Sequence, residues 1–250
     1  MSENVGFYEA KYFTHYPNDW GLETLSNLVT QKITYGIVQP GEYKEDGIPL
    51  IRGVDYMSGW QELGSFFKVS PDLHKKYKRS VTKSGDVLLS IAGYAGEVAI
   101  VPTWIQEANI TQTTARITVD SKKANSDFIA QFLRSPDGKL QSRRYTKGSA
   151  QEGLNLNDIE KFIVPLPPLP EQQKIASILT SVDDVIEKTQ SQINKLQDLK
   201  KGTMNELLTR GIGHTEFVDS PVGKIPREWE VVTIDKSSIS VLDGDRGKEY

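Results

Sequence analysis

The stretch Pro165-Leu-Pro-Pro-Leu-Pro-Glu-Gln-Gln-Lys-Ile-Ala-Ser-Ile-Leu-Thr-Ser-Val-Asp-Asp-Val-Ile186, continued in the same style to Leu208, decides how the chain is built. Its opening, Pro165 to Pro170, ends whatever precedes it, because each proline removes a backbone donor and disfavours helix at the residue before it. Beyond Pro170 no proline or glycine intervenes before Gly202. The apolar residues Ile175, Leu179, Val182, Ile186, Ile193 and Leu196 fall at alternating steps of three and four. One slot is missed, at Thr189, and the register returns at Leu207. That spacing predicts one long helix with a heptad-like seam. Pro170 suits a first helical turn, Glu171 places negative charge at the positive end of the dipole, and Gly211 and Gly213 supply the stop. From Glu171 to Leu208 such a helix measures roughly 57 Å at about 1.5 Å per residue. Its narrow apolar stripe is buried either by a partner helix, which makes it a spacer, or against its own domain. Periodicity leaves both open.

Working outward, 37% hydrophobic and 25% charged residues with a net charge of -3 describe a globular chain without extreme bias. The absence of cysteine excludes a disulfide framework, a thiolate zinc site and a cysteine nucleophile. Met1 to Glu9 lacks the basic start and apolar core of a signal peptide, and no apolar run reaches the ~18 residues of a membrane span. A cytoplasmic protein that does not enter a membrane is expected. Mild acidity argues against nucleic-acid binding, but the distribution points the other way. Lys68, Lys75, Lys76, Lys78, Arg79 and Lys83 surround a single acid, Asp72. Arg134, Lys139, Arg143, Arg144 and Lys147 surround Asp137.

In chain order, Leu22, Leu25, Leu28 and Val29 stand at helical or mixed spacing. Ile33 to Gly41 and Gly47 to Asp55 read as short strands broken by turn residues, and Ser84-Gly-Asp86 leads into a continuous apolar run typical of a buried strand. Glu97 to Pro102, Thr113 to Val119 and Lys161 to Pro167 give further strands, and Phe128 to Ser135 a helix. The expected fold class is α+β, an irregular mixed domain followed by the long helix. Pro17-Asn-Asp-Trp20-Gly-Leu-Glu-Thr24-Leu25 recurs as Pro226-Arg-Glu-Trp229-Glu-Val-Val-Thr233-Ile234, each matched residue 209 positions later. A new domain is therefore expected to open just beyond the helix.

These residues resemble the DNA-specificity subunit of type I restriction-modification systems. The resemblance is carried by Leu166-Pro-Pro-Leu-Pro-Glu-Gln-Gln-Lys-Ile-Ala-Ser-Ile-Leu179 with Asp183 and Ile186. Tyr35 to Tyr43, Gly85 to Val101 and Ala108 to Gln112 resemble the family's target-recognition domain, and Gly223 to Trp229 and Asp243 to Lys248 the opening of another. It implies a target-recognition domain over residues 1–165, a spacer and dimerisation helix over 166–212, and the start of a second recognition domain over 213–250. It also implies a subunit without catalysis or cofactor that binds a bipartite site on double-stranded DNA. S-adenosylmethionine and ATP would belong to partners, a DNA methylation subunit and a restriction subunit. A full-length member of the family has two recognition domains and two paired helices. With one of each here, two copies are expected to pair through the seam as a homodimer.

No catalytic constellation accompanies this reading. His15, His74 and His214 lack metal-ligand spacing and read as surface residues. Asp183 and Asp184 diverge by about 100° on a helix and read as solvated. Leu166-Pro-Pro-Leu-Pro resembles part of an amino-methyltransferase motif but lacks its acidic or amide start and aromatic end. For DNA, Lys75, Lys76, Lys78, Arg79, Arg143, Arg144 and Lys147 are expected to hold phosphates, while Tyr35, Arg52, Tyr94, Gln112 and Gln151 are candidates for base edges. Gly93 and Gly96 are expected to shape a turn. The alternative is a protein-interaction scaffold that binds no DNA, with the long helix as its working surface.

Overall fold

The turn Ser84-Gly-Asp86 sets up the centre of the domain. Gly85 takes φ 85°, and the buried Asp86 carboxylate accepts hydrogen bonds from Thr82 Oγ1 (3.0 Å), the Lys83 N–H (3.0 Å) and Thr118 Oγ1 (2.7 Å). In the computed structural model, which describes residues 16, 17, 19–146 and 153–234, the strands are β1 (Gly21–Thr24), β2 (Thr34–Tyr35), β3 (Ile48–Ile51), β4 (Phe67–Val69), β5 (Val81–Thr82), β6 (Val87–Ser90), β7 (Val98–Ile100), β8 (Ala108–Ile110), β9 (Thr114–Ile117), β10 (Ile163–Leu166), β11 (Phe217–Ser220) and β12 (Gly223–Pro226). The helices are α1 (Pro71–Lys76), α2 (Ser126–Arg134), α3 (Pro136–Tyr145), α4 (Leu156–Ile159) and α5 (Leu169–Arg210). The class is α+β, and the chain divides into two compact units, Met1–Asp183 and Asp184–Tyr250.

In the first unit, one sheet runs β2-β9-β6-β7, all antiparallel, and a second runs β4-β3-β8-β5 with β3 and β8 parallel. The apolar run at β6 lacks alternation because both of its faces are covered. Val87 and Leu89 enter a cluster with Ile117, Phe128, Ile129 and Leu133, whereas Leu88 enters another with Ile51, Phe66, Ala99 and Ile110. The mixed spacing at Leu22 to Val29 resolves into β1 followed by a 3-10 turn, Leu25–Leu28, whose two leucines are buried. At three residues per turn they lie on one side. β1 pairs antiparallel with β10, Gly21 opposite Leu166 and Thr24 opposite Ile163, so the strand that feeds the long helix is fixed to the domain's beginning.

α5 begins two residues earlier and ends two later than the spacing predicts. Its first turns are anchored in this unit. Gln172, 1% exposed, accepts the Asn125 N–H at Oε1 (2.9 Å) and donates from Nε2 to the Pro167 carbonyl (2.8 Å). Ala176 is buried, and Ile175 packs half-buried against the same core. Asp183 is also held, by Gln131 Nε2 at 2.6 Å and Arg134 Nη1 at 3.6 Å. The reading of Asp183 as merely solvated is corrected, since long polar side chains of α2 lie within its reach. From Ser177 to Arg210 every residue of α5 is exposed.

The second unit holds the remainder of α5 and a hairpin. Gly211, at φ 66°, donates to the Leu207 carbonyl at 3.0 Å and closes the helix. β11 and β12 pair antiparallel, Phe217 opposite Pro226. The sequence repeat is also a repeat of local geometry: the Trp229 N–H donates to the Pro226 carbonyl at 2.9 Å, as the Trp20 N–H does to Pro17 at 3.0 Å. Among the described residues no helix is long and apolar enough to cross a membrane.

Candidate nucleic-acid interface

The connection from β8 to β9, Thr111 to Thr113, is the point where three other segments converge. The Gly36 N–H donates to the Thr111 carbonyl (3.2 Å), the Gln112 N–H to that of Ile37 (2.9 Å), the Thr111 N–H to that of Ile51 (3.2 Å), and the Ile91 N–H to that of Thr113 (2.8 Å). Tyr35, Arg52 and Tyr94 stand within three residues of those partners, and Gln112 is in the connection itself. Four of the candidate base-reading residues are thus hung on one backbone hub. The approach is close: a Cβ on Gly36 would lie 1.7 Å from the Ile110 carbonyl oxygen. Tyr94 is 73% exposed at the tip of a turn whose glycines, Gly93 and Gly96, take φ 80° and 96°. Left-handed backbone of that kind favours glycine, so both shape the turn as expected.

Arg52 is half-buried and engaged. Nε and Nη2 donate to the Asp55 carboxylate at 3.2 and 3.0 Å, and the Arg52 N–H donates to it at 2.7 Å. These bonds close the 3-10 turn Gly53–Asp55 as a capping box and raise the arginine's pKa further, chiefly through the Asp55 hydrogen bonds. Tyr56, next in sequence, hydrogen-bonds Thr114 Oγ1 at 3.2 Å, and burial raises its pKa above the ordinary tyrosine value.

Four of the six cations of the first basic group lie on α1 and the following 3-10 turn, Lys78–Ser80, which packs beside β2, while Lys68 is on β4 and Lys83 follows β5. Lys75, Lys76, Lys78 and Arg79 are all exposed. His74 is not the surface residue its isolation in sequence suggests. Its Nδ1 meets Asn109 Oδ1 at 2.8 Å and its Nε2 lies 3.3 Å from Glu107, which ties α1 to β8, an inner strand of the second sheet, and to the residue before it. His214 lies edge-on to Trp229 and 3.4 Å from Glu228, and His15 lies outside the described residues. In the second basic group, Arg143 and Arg144 are exposed at the end of α3, where Ser142 packs under the Gly93–Gly96 turn. Arg134 has a structural task, donating Nε and Nη2 to the Val98 carbonyl. Lys147 and Gln151 lie outside the described residues. Among those described, no group of His, Asp and Glu is arranged to hold a metal ion.

Of the seam residues, Leu179, Val182, Ile186, Ile193 and Leu196 are 41, 51, 61, 42 and 64% exposed. Ile175 belongs to the anchoring of α5 instead, because β10 brings the helix's first turns onto the core. Sequence reasoning missed Asp55, three residues after Arg52, and the Thr111–Thr113 hub. The acid at that spacing was a visible signal; the hub depends on pairings distant in sequence.

A mixed α+β domain of irregular small sheets followed by a long helix is the fold of solved specificity subunits. The S subunit of a type I restriction-modification system from M. genitalium superposes with a TM-score of 0.54 at 16% identity, over 78% of this chain and 48% of that one. The family described as "Type I restriction modification DNA specificity domain" matches residues 17–198, and the chain belongs to that family. It is 34% identical over 180 residues to the type I restriction enzyme EcoBI specificity subunit of Escherichia coli, covering 71% of this chain and 38% of the relative. It is 31% identical over 175 residues to the MjaVIII specificity subunit of Methanocaldococcus jannaschii, covering 69% and 39%. The chain spans less than half the length of either relative.

Proposed function

We propose that this chain selects DNA sequence for a type I restriction-modification assembly. Its domain would bind duplex DNA, and its long helix would pair with that of a second copy to form a homodimer that reads a bipartite site. The observation that carries the DNA reading is the gathering of Tyr35, Arg52, Tyr94 and Gln112 on one hub, beside a turn with exposed Lys78 and Arg79. Polar side chains carried on a hydrogen-bonded backbone suit base edges, and the flexible cations around them suit phosphates. On this reading the chain is non-catalytic and has no cofactor of its own. A methylation subunit would bring S-adenosylmethionine, a restriction subunit would bring ATP-driven cleavage, and the assembly would work in the cytoplasm.

Pairing with a second copy is supported by the seam itself. Antiparallel helices place a positions against d positions. Leu179 then faces Leu196, Val182 faces Ile193 and Ile186 faces Thr189, each pair formed twice about a two-fold axis. A stripe that is its own complement in this register suits an isologous contact.

Duplex binding measured between 50 and 200 mM salt tests the DNA reading. Counterion release gives a steep fall of log K with log salt, a slope of about -0.9 for each phosphate neutralised. A slope of several units is expected; salt-independent or absent binding would overturn the proposal and favour a protein-interaction scaffold.

A further inference from the structure

An arginine guanidinium has two edges that each donate a parallel pair of hydrogen bonds: the side edge, Nε with Nη2, and the end edge, Nη1 with Nη2. In Arg52 the side edge is occupied by Asp55, Nε to Oδ2 and Nη2 to Oδ1. The carboxylate cannot swing away easily, because it is 3% exposed and also accepts the Arg52 N–H. Its own backbone is pinned as well, the Asp55 N–H donating to the Arg52 carbonyl and the Gln61 N–H to the Asp55 carbonyl, both at 2.9 Å. The end edge faces outward: the side chain is 39% exposed, and Nη1 makes no hydrogen bond among the described residues.

We propose that Arg52, held by Asp55, reads a guanine in the major groove, its end edge donating from Nη1 and Nη2 to O6 and N7. Guanine is the base that offers two adjacent acceptors there. Adenine sets an amino donor beside its N7, and thymine offers a single carbonyl. The carboxylate also argues against the other common use of an arginine. A guanidinium paired with a buried anion has little net charge to offer a phosphate, whereas its remaining geometry is more sharply defined. Asp55 is then a positioning residue that limits Arg52 to one orientation. The inference rests on the reading of this domain as a duplex reader and adds the base that one side chain selects.

The test is selection of duplexes from a randomised library by the full chain, followed by affinity measurements on the winning sequence. The wild-type chain should require a guanine at one position. Replacing that base by 7-deazaguanine, which lacks the N7 acceptor, should weaken binding about tenfold. Arg52→Lys keeps the charge without the fork and should lose that one preference while other positions stay fixed, with no further loss on the deaza duplex. Asp55→Asn should relax the same position without lowering affinity for random-sequence DNA, since the freed guanidinium can then serve a phosphate, a split that a merely structural role would not give. Variants that keep the guanine requirement in full would overturn the inference and leave the proposed function standing. A wild-type chain that enriches no sequence would overturn both.

Discussion

At Gly36 the fold leaves no room for a side chain. Gly36→Ala would put a methyl group 1.7 Å from the Ile110 carbonyl oxygen, and the obstacle is backbone, so β2 must move off the hub. A loss of about 2–3 kcal/mol is expected, checked by urea denaturation, with weaker duplex binding because Tyr35 moves too. Tyr56 supplies a pH-dependent counterpart. Burial is the main cause that raises its pKa above the ordinary tyrosine value, opposed by the Thr114 hydrogen bond and aided by the charge of Glu97. A phenol that ionises later in the folded chain than in the unfolded one stabilises fully below the unfolded pKa. That contribution falls as pH rises toward the folded pKa. The urea midpoint should therefore decline as pH rises through and beyond the ordinary tyrosine range, and the decline should be shallower in Tyr56→Phe, which has nothing to ionise there.

Among the elements, the anchoring of α5 depends on Gln172, part of the Glu171-Gln-Gln173 segment that follows the proline stop. Its buried amide satisfies the Asn125 N–H and the Pro167 carbonyl, and Asn125 in turn caps α2 through Phe128 N–H at 2.9 Å. Gln172→Ala should cost about 1–3 kcal/mol by orphaning both groups, and amide hydrogen exchange at Asn125 should accelerate while the exposed end of α5 is unaffected. The helix itself was legible because a narrow stripe repeated over many turns has no other reading, and β6 because a Gly-Asp turn leads into an unbroken apolar run. α1 and α3 were missed although both begin Ser-Pro-Asp, a serine cap, a proline in the first turn and an acid behind it. They are short and polar, so no stripe drew notice to them. The convergence of Tyr35, Arg52, Tyr94 and Gln112 was legible only as residue types. What joins them is hydrogen bonding between segments 75 positions apart, Gly36 with Thr111 and Ile37 with Gln112, which no local pattern encodes.

For the whole molecule, the open question of the sequence was what covers the stripe on α5, whose residues from Ser177 to Arg210 are all exposed. Five of the six expected seam positions remain available, and the antiparallel register pairs Val182 with Ile193. That register makes a sharper prediction than dimerisation alone. Val182→Glu places two buried carboxylates in the dimer and Ile193→Lys two buried ammonium groups, each without a counter-charge, so each variant by itself should be monomeric. Mixed in equal amounts, one chain's Glu faces the other's Lys in a single layer, while Val182 still faces Ile193 in the symmetry-related layer. Light scattering should then give masses near 28.0 kDa for each variant alone and near twice that for the mixture and the wild type. A parallel pairing would set position 182 against its own copy, so the mixture would gain nothing. Recovery on mixing therefore requires the antiparallel two-fold arrangement, the one that turns the two domains of a pair toward opposite ends of their helices.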